Sequence, residues 1–141
     1  MTSLEDRAEI IDLTHRYCWA LDAREFDLLD SVFAEDAEAE LLAPVLAGRE
    51  AIVGRVSGAV SRFDATWHAV SNHQIALDGD TATCRCYLMA QHVKQVDGEA
   101  RNFVIAGRYE DRLRRDPQGW RIVFRRLVRV WTEGDPGVRA R

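Results

Sequence analysis

The chain has few or none of the features that several classes of protein require. Its 141 residues include only 3 prolines and a single lysine, Lys94, so arginine supplies nearly all of the basic charge. No apolar run is long enough to span a membrane, and the acidic N-terminal segment lacks the apolar region of a secretory signal. Metal-ligand spacings, glycine-rich phosphate loops and the local motifs of nucleophilic serine or cysteine enzymes are also missing. We therefore predict a cytoplasmic protein that has no cofactor or metal and does not bind a membrane.

Cysteine content and net charge narrow the class further. The three cysteines are an odd number, and Cys84 and Cys86 share one face of a predicted strand while Cys18 lies far away in the sequence. This arrangement favours free thiols in a reducing compartment. A net charge of −4 provides no basic footprint for nucleic acid. The length and the 47% hydrophobic content predict one globular domain over residues 1–141, with a flexible tail from about residue 133.

Helical patterns dominate the first half of the chain. Ser3 and Asp6 resemble a capping box that opens a helix over residues 3–22, whose apolar stripe is Leu4, Ala8, Ile11, Cys18 and Leu21. A second helix is predicted over residues 25–33 and a third over residues 48–63. Between them lies a short strand over residues 37–42, which Pro44 interrupts.

Strand patterns fill the second half. Four long apolar alternations cover residues 66–77, 81–96, 100–114 and 120–132, and each connection between them contains a glycine. Helices followed by a meander of long antiparallel strands predict an α+β fold. We expect a strongly curved, cone-shaped sheet with a mixed edge that wraps around three N-terminal helices as an open α+β barrel. Such a sheet can enclose a ligand pocket.

Two histidines in the first long predicted strand are candidates for a catalytic role. His68 and His73 are five residues apart, and strand side chains alternate between faces, so an uninterrupted strand would place the two rings on opposite faces. Asn72 would share the face of His68. His92 continues the alternation of Cys84 and Cys86 and is a candidate second pocket histidine.

The order of these elements resembles the SnoaL-like family of the nuclear transport factor 2-like superfamily. The resemblance covers nearly the whole chain and is carried by seven segments, namely residues 6–13, 17–22, 29–37, 48–52, 68–72, 77–82 and 119–122. Members of this superfamily include scytalone and bile-acid dehydratases, lindane dehydrochlorinase, polyketide cyclases and ketosteroid isomerase. The fold alone therefore does not identify the reaction.

The resemblance is strongest to the dehydratase and dehydrochlorinase branch, and it implies a set of site residues. By similarity, His68 removes a proton and Asp22 orients its ring. Tyr17 is a polar helper, and an arginine of the last strand, Arg125 or Arg126, polarises the leaving group. The substrate-binding residues expected beside them are Asn72, His92, Trp67, Leu88 and Phe33.

Helix geometry allows two sets of residues on the first predicted helix to face the pocket together with Asp22. Tyr17 and Asp22 lie about 140° apart on an ideal helix, so they meet in one pocket only if the helix ends or unwinds near Asp22. On an unbroken helix, His15 and Cys18 would share the face of Asp22 instead. Each candidate also has a plain structural interpretation, such as a hydrogen-bonded core histidine or a solvated arginine.

The function expected from this site is cofactor-independent proton abstraction by a His–Asp dyad. A neutral imidazole is a competent base near neutral pH, and a carboxylate bonded to one ring nitrogen leaves the other as the base. We expect a dehydratase-like lyase or an isomerase acting on a small hydrophobic substrate, with polycyclic and polyketide-like compounds as candidates. A polyketide cyclase-type enzyme and a non-catalytic ligand-binding protein are the alternatives. Apolar residues on both faces of the last strands also predict a homodimer or higher homo-oligomer.

Overall fold

The computed structural model describes residues 2–140, with side chains described for residues 2–138. The chain begins with helix α1 (Ser3–Asp22) and a 3-10 helix (Phe26–Ser31), followed by strands β1 (Phe33–Leu41) and β2 (Leu46–Ala47) and helix α2 (Arg49–Val60). Four long strands follow: β3 (Ala65–Asp78), β4 (Thr81–Val96), β5 (Glu99–Asp116) and β6 (Gly119–Gly134). A second 3-10 helix (Pro136–Ala140) ends the described chain. The predicted second helix is thus a 3-10 helix, and the predicted first strand starts earlier than expected.

A capping box opens α1 one residue earlier than predicted. Thr2, not Ser3, is the N-cap, and its hydroxyl accepts a hydrogen bond from the Glu5 backbone N–H at 3.1 Å. The Glu5 carboxylate accepts one from the Thr2 backbone N–H at 2.6 Å. Glu5 fits this role because it is the acidic residue three positions after the cap.

The buried stripe of α1 is rotated from the predicted one. Leu4 is 79% exposed and Ala8 is exposed, whereas Ile10, Leu13 and Tyr17 are buried. The prediction failed because hydrophobicity alone overlooked Asp6, which lies on the buried side. Its carboxylate accepts hydrogen bonds from the Arg115 guanidinium at 2.7 Å and the Trp120 indole at 3.0 Å, so burial leaves it paired.

All six strands form one mixed sheet in the order β2-β1-β6-β5-β4-β3. The β1–β6 pair is parallel and the other pairs are antiparallel. The sheet stays open and curves around α1 and α2, so the fold is the predicted α+β cone. Strand β3 forms one edge of the sheet and packs against α1, and this contact brings the end of the helix to the first residues of the strand.

Irregularities interrupt the described strands at four places and let the sheet bend. The β1–β6 register shifts between Phe33 and Glu38, the β3–β4 register shifts between Ser71 and Gln74, and the β5–β6 register shifts twice. At one of these shifts, a Cβ added to Gly107 would overlap the carbonyl oxygen of Val128, so only glycine fits. These bulges explain how strands of 14 to 18 residues curve into a cone instead of extending as a flat sheet.

The hydrophobic core fills the inside of the cone. Trp120, Ile122 and Phe33 are fully buried, and the inward residues of β4 alternate with exposed ones as the sequence predicted. Val138, in the last 3-10 helix, is also buried, although flexibility of the tail from residue 133 stays a prediction. No helix within the described residues is long and apolar enough to cross a membrane.

Candidate active site

A cavity of about 600 Å³ lies in the groove between the C-terminal half of α1 and the edge strand β3. Such a volume is within the usual range for small-molecule sites. Two tryptophans flank the cavity and remain largely accessible to solvent: Trp19 is 70% exposed and Trp67 is 72% exposed. The full lining is His15, Cys18, Trp19, Asp22, Ala23, Thr66, Trp67, His68, Ala69 and Val70. Two of these residues, His68 and Asp22, form the predicted pair.

The Asp22 carboxylate and the His68 ring are joined by a short hydrogen bond. His68 Nδ1 lies 2.7 Å from Asp22 Oδ1, and the His68 backbone N–H donates to Asp22 Oδ2, also at 2.7 Å. The Thr66 hydroxyl adds a third bond to Oδ1 at 2.9 Å. Asp22 is the last residue of α1, and His68 and Thr66 point inward from β3, so the helix–strand contact assembles the pair.

These bonds keep Asp22 ionised and place a proton on one nitrogen of the His68 ring. Burial alone would raise the pKa of Asp22, but hydrogen bonds from the His68 ring, the His68 backbone and Thr66 outweigh it and hold the pKa below its usual value. Asp22 is therefore an anion that can only accept, so His68 Nδ1 carries the proton. When the ring is neutral, Nε2 is the acceptor, which is the tautomer that a general base requires.

His68 is shielded but still reaches the cavity. Its side chain is 6% exposed and that of Asp22 is 21% exposed. The His92 ring packs against His68 edge-on, with 6.0 Å between ring centroids. His92 Nδ1 lies 3.0 Å from the Phe103 carbonyl oxygen, which therefore accepts its proton. His92 thus lies next to the dyad, as expected for a second pocket histidine, but it does not line this cavity.

A second charged group lies in the core behind this cavity. The Arg125 guanidinium is fully buried and donates to both oxygens of Asp111 at 2.8 Å. Its carbon also lies 4.4 Å from the ring centre of Tyr17 and 3.8 Å from that of Tyr109. Burial raises the pKa of both tyrosines, although the Arg125 charge opposes this change, so both hydroxyls stay protonated.

One donor of this buried group has no partner. Among the described residues, none accepts a hydrogen bond from Arg125 Nη1. A buried donor without an acceptor typically costs about 1–3 kcal/mol. The Arg125 guanidinium also interacts with the Tyr17 hydroxyl through its charge and a hydrogen bond, so an additional acceptor would share the guanidinium with Tyr17.

The register of β6 decides between the two candidate arginines. Arg125 points into the cone, whereas the Arg126 side chain is 50% exposed and pairs with Glu40 at 2.7 Å on the outer face. Arg126 is therefore far less suited to act on a ligand inside the cone. A one-residue shift reverses the face of a strand side chain, so the sequence could not separate these two neighbours.

The first helix follows the alternative geometry that the sequence left open. It is continuous through Asp22, so His15 and Cys18 share the cavity with Asp22, while Tyr17 lies in the core and does not line it. Both Arg125 and Asp22 act electrostatically on the Cys18 thiol. Burial nevertheless raises the pKa of Cys18 to about 12, so this thiol stays protonated near neutral pH.

The prediction that His68 and His73 lie on opposite faces is wrong. A bulge at residues 71–74, where Asn72 has φ 57°, shifts the alternation of β3 by one residue. His73 therefore turns inward, and its Nε2 lies 2.8 Å from the Thr14 hydroxyl. Asn72 is exposed and lies away from the cavity, so it does not share the face of His68.

The remaining predicted contacts divide between cavity and core. Trp67 lines the cavity, whereas Leu88 and Phe33 are buried in the core and do not reach it. Sequence reasoning missed Thr66 and Asp111 as partners of the site. The polar residue two positions before His68 was an available signal for Thr66, but nothing in the sequence marks Asp111, which only the β5–β6 register places opposite Arg125.

The described residues do not form a cluster of side chains that could bind a metal ion. Within the part of the chain that the structure describes, no three histidine, cysteine or acidic side chains are grouped as a metal site. The described cysteines are free thiols, and burial raises the pKa of Cys84 to about 12 and that of Cys86 to about 11. The functional groups that line the cavity are the imidazoles of His15 and His68, the Asp22 carboxylate, the Cys18 thiol, the Thr66 hydroxyl and the two indole rings.

Comparison with known proteins places this arrangement in a family. The model of the SnoaL-like domain matches residues 2–126. The chain belongs to the SnoaL-like family. An uncharacterised relative, Rv2910c of Mycobacterium tuberculosis, is 32% identical over 130 residues, which cover 89% of this chain and 86% of the relative. The expected resemblance is therefore confirmed.

Solved structures share the cone fold of the nuclear transport factor 2-like superfamily. Kfla4162 from Kribbella flavida is 25% identical, with a TM-score of 0.91 and coverage of 99% of this chain and 100% of its own. A protein described as a candidate scytalone dehydratase, from Novosphingobium aromaticivorans, is 25% identical, with a TM-score of 0.82 and coverage of 94% and 89%. A hexachlorocyclohexane dehydrochlorinase from Novosphingobium barchaimii, at 21% identity, a TM-score of 0.81 and coverage of 95% and 92%, shows the same fold.

Proposed function

We propose that this SnoaL-like protein is a cofactor-independent lyase that uses His68 as a general base. The observation that carries the proposal is the 2.7 Å bond between His68 Nδ1 and Asp22 Oδ1 at an apolar cavity. His68 Nε2 takes a proton from carbon, the C–H electrons form a double bond, and the leaving group departs with its electron pair. Asp22 stabilises the imidazolium that forms.

In this proposal, the buried side chains of Arg125 and Tyr17 stabilise the leaving group. Arg125 Nη1 has no acceptor within hydrogen-bond distance among the described residues, and the Tyr17 hydroxyl, which interacts with Arg125, stays protonated and can donate as well. Asp111 neutralises the guanidinium, so this group suits a neutral acceptor such as a hydroxyl, carbonyl or halogen better than a carboxylate. Since Arg125 and Tyr17 are buried and do not line the cavity, this step requires the cavity to open toward them when the substrate binds.

Cavity chemistry supports a small hydrophobic substrate with a ring system. Trp19 and Trp67 present large aromatic surfaces at the rim, and Ala69 and Val70 line the groove between them. Aromatic rings bind flat apolar compounds through large contact areas. The candidate dehydratase and the dehydrochlorinase with the same fold also support elimination chemistry. Double-bond isomerisation and cyclisation require the same proton abstraction and belong to the same proposal.

Proton transfer can be tested before the natural substrate is known. Cyclic ketones in D₂O are incubated with the protein, and loss of the α-proton signals is followed by NMR. His68→Ala should reduce the exchange rate by roughly 10²–10⁴-fold, the usual contribution of a positioned base. The matched control is His73→Ala, which removes an inward histidine that lies outside the cavity and should leave exchange unchanged. Equal rates for His68→Ala and the wild type would remove His68 from the mechanism.

A non-catalytic ligand-binding protein is the second candidate. The observation that favours it is the burial of Tyr17 and Arg125 away from the cavity that contains the dyad. In that case, polycyclic compounds quench the fluorescence of Trp19 and Trp67 with equal affinity in the wild type and in His68→Ala, and no proton exchange is seen in either protein.

A further inference from the structure

The Thr66 hydroxyl connects the dyad to an arginine outside it. It accepts a hydrogen bond from Arg24 Nη1 at 3.0 Å and donates one to Asp22 Oδ1 at 2.9 Å. A hydroxyl has one proton, and the carboxylate and guanidinium define which way it points. The direction of donation therefore runs from Arg24 through Thr66 to Asp22.

Arg24 is held rigidly at the junction of three elements. It follows the C-cap of α1 with φ 59°, and its guanidinium donates to the carbonyl oxygens of Leu21 at 2.6 Å, Val60 at 3.0 Å and Phe63 at 3.3 Å. A non-glycine residue rarely adopts this left-handed conformation. The described side chains provide no ion-pair partner for Arg24, since its donors are directed to carbonyl and hydroxyl oxygens. Arg24 is therefore linked to Asp22 through the Thr66 hydroxyl.

Asp22 needs such support because of its position. It is the last residue of α1, where the helix dipole places partial negative charge that disfavours a carboxylate, even though the carbonyl oxygens of Trp19, Ala20 and Leu21 accept hydrogen bonds there. A donor backed by a cation counters this repulsion. The bond also fixes the rotation of the carboxylate, so that Oδ1 faces the His68 ring while Oδ2 faces the His68 backbone N–H.

We propose that Thr66 and Arg24 are positioning residues, which hold the Asp22 carboxylate in the orientation that keeps the proton of His68 on Nδ1. This inference rests on the proposed role of His68 as the base. Neither residue touches the reacting atoms in this scheme. Thr66 links the dyad to the ends of both helices, and Arg24 anchors that link.

The experiment compares Thr66→Val with Thr66→Ser and uses two readouts. Valine keeps the branched shape that suits a strand but removes the hydroxyl, whereas serine keeps the hydroxyl. In the substrate-free protein, nitrogen-15 shifts of the His68 ring report the tautomer, and carbon-13 shifts of Asp22 report its titration. Thr66→Val should raise the pKa of Asp22 toward its usual value and populate a second tautomer of His68. Thr66→Ser should restore the wild-type spectra.

Catalysis gives the second readout. Thr66→Val should lower kcat for α-proton exchange roughly tenfold, the effect of losing one hydrogen bond to a charged group, with little change in KM. Arg24→Met should change the tautomer in the same direction and serves as the second variant if valine disturbs folding. Thr83→Val, on the outer face of β4, is the control and should match the wild type.

The outcomes separate this inference from the proposed function. Wild-type spectra and kcat in both Thr66→Val and Arg24→Met would overturn the positioning role while leaving His68 as the base. Altered spectra in those variants, in a protein without any proton exchange, would support the positioning of Asp22 and overturn only the catalytic role of His68.

Discussion

Two aspartates of this fold differ in environment. Asp22 accepts a hydrogen bond from a histidine ring and Asp111 accepts hydrogen bonds from a guanidinium group, but the first is partly exposed and the second is buried. Asp22 is at a helix end beside a cavity, with a side chain that is 21% exposed and bonded to His68. Asp111 is in the middle of β5, with a side chain that is 1% exposed and bonded at both oxygens to Arg125. A carboxylate that is partly solvated can exchange partners during a reaction. A carboxylate that is buried against an arginine instead holds the guanidinium charge at a constant position.

The two aspartates are expected to have different roles, one in folding and one in proton transfer. Buried ion pairs contribute little net stability, but removing one partner leaves an uncompensated charge. Asp111 should therefore matter for folding, whereas Asp22 should matter for proton transfer. Substitutions at the two sites can separate these effects.

The largest effect on folding is expected from Asp111→Ala. Loss of this carboxylate leaves the fully buried Arg125 without a counter-charge, which should lower the free energy of unfolding by about 3–5 kcal/mol. Urea titration measures the change. The control is Glu110→Ala, whose carboxylate accepts from Arg108 at 3.0 Å on the outer face of the same strand, and it should cost about 0–1 kcal/mol. Equal losses in both variants would contradict the comparison.

A smaller effect is expected from Asp22→Asn and depends on pH. The pKa of Asp22 is lowered in the folded state, so its carboxylate stabilises the fold above the unfolded pKa of about 3.9, and this stability is lost as the pH falls through the folded pKa. Asparagine does not titrate, so the variant should lose less stability between neutral and acidic pH than the wild type. Urea titrations at a series of pH values test this, and parallel curves would argue against it.

The smallest effect on folding is expected on the outer sheet face, where we propose that the protein forms a homodimer or higher homo-oligomer. Ala69, Met89, Ala106 and Trp131 are neighbours in register across β3 to β6, and Trp131 is 45% exposed. Trp131→Ser should shift the assembly toward monomer in light scattering while changing the free energy of unfolding by less than about 1 kcal/mol. Arg126→Ala, at the charged part of this face, is the control. A monomeric wild type at micromolar concentration would contradict the proposal.

Much of the fold could be predicted from local patterns in the sequence. The strand periodicity of Cys84, Cys86 and His92 and the glycines between the long strands predicted the antiparallel meander, because alternation and turn chemistry are local properties. The pairing of Asp22 with His68 was also predicted, through resemblance to a family in which that pair recurs.

Other features depended on the assembled structure. The bulge at residues 71–74 turned His73 inward, because a strand that pairs with a curved neighbour can insert one residue and reverse its alternation. The β6 register placed Arg125 inside and Arg126 outside, and the β5–β6 pairing set Asp111 opposite Arg125. The sequence by itself determined the elements and the residues available for proton transfer. Only the tertiary structure decided which side chains meet, because pairing register and bulges arise from contacts between strands far apart in the chain.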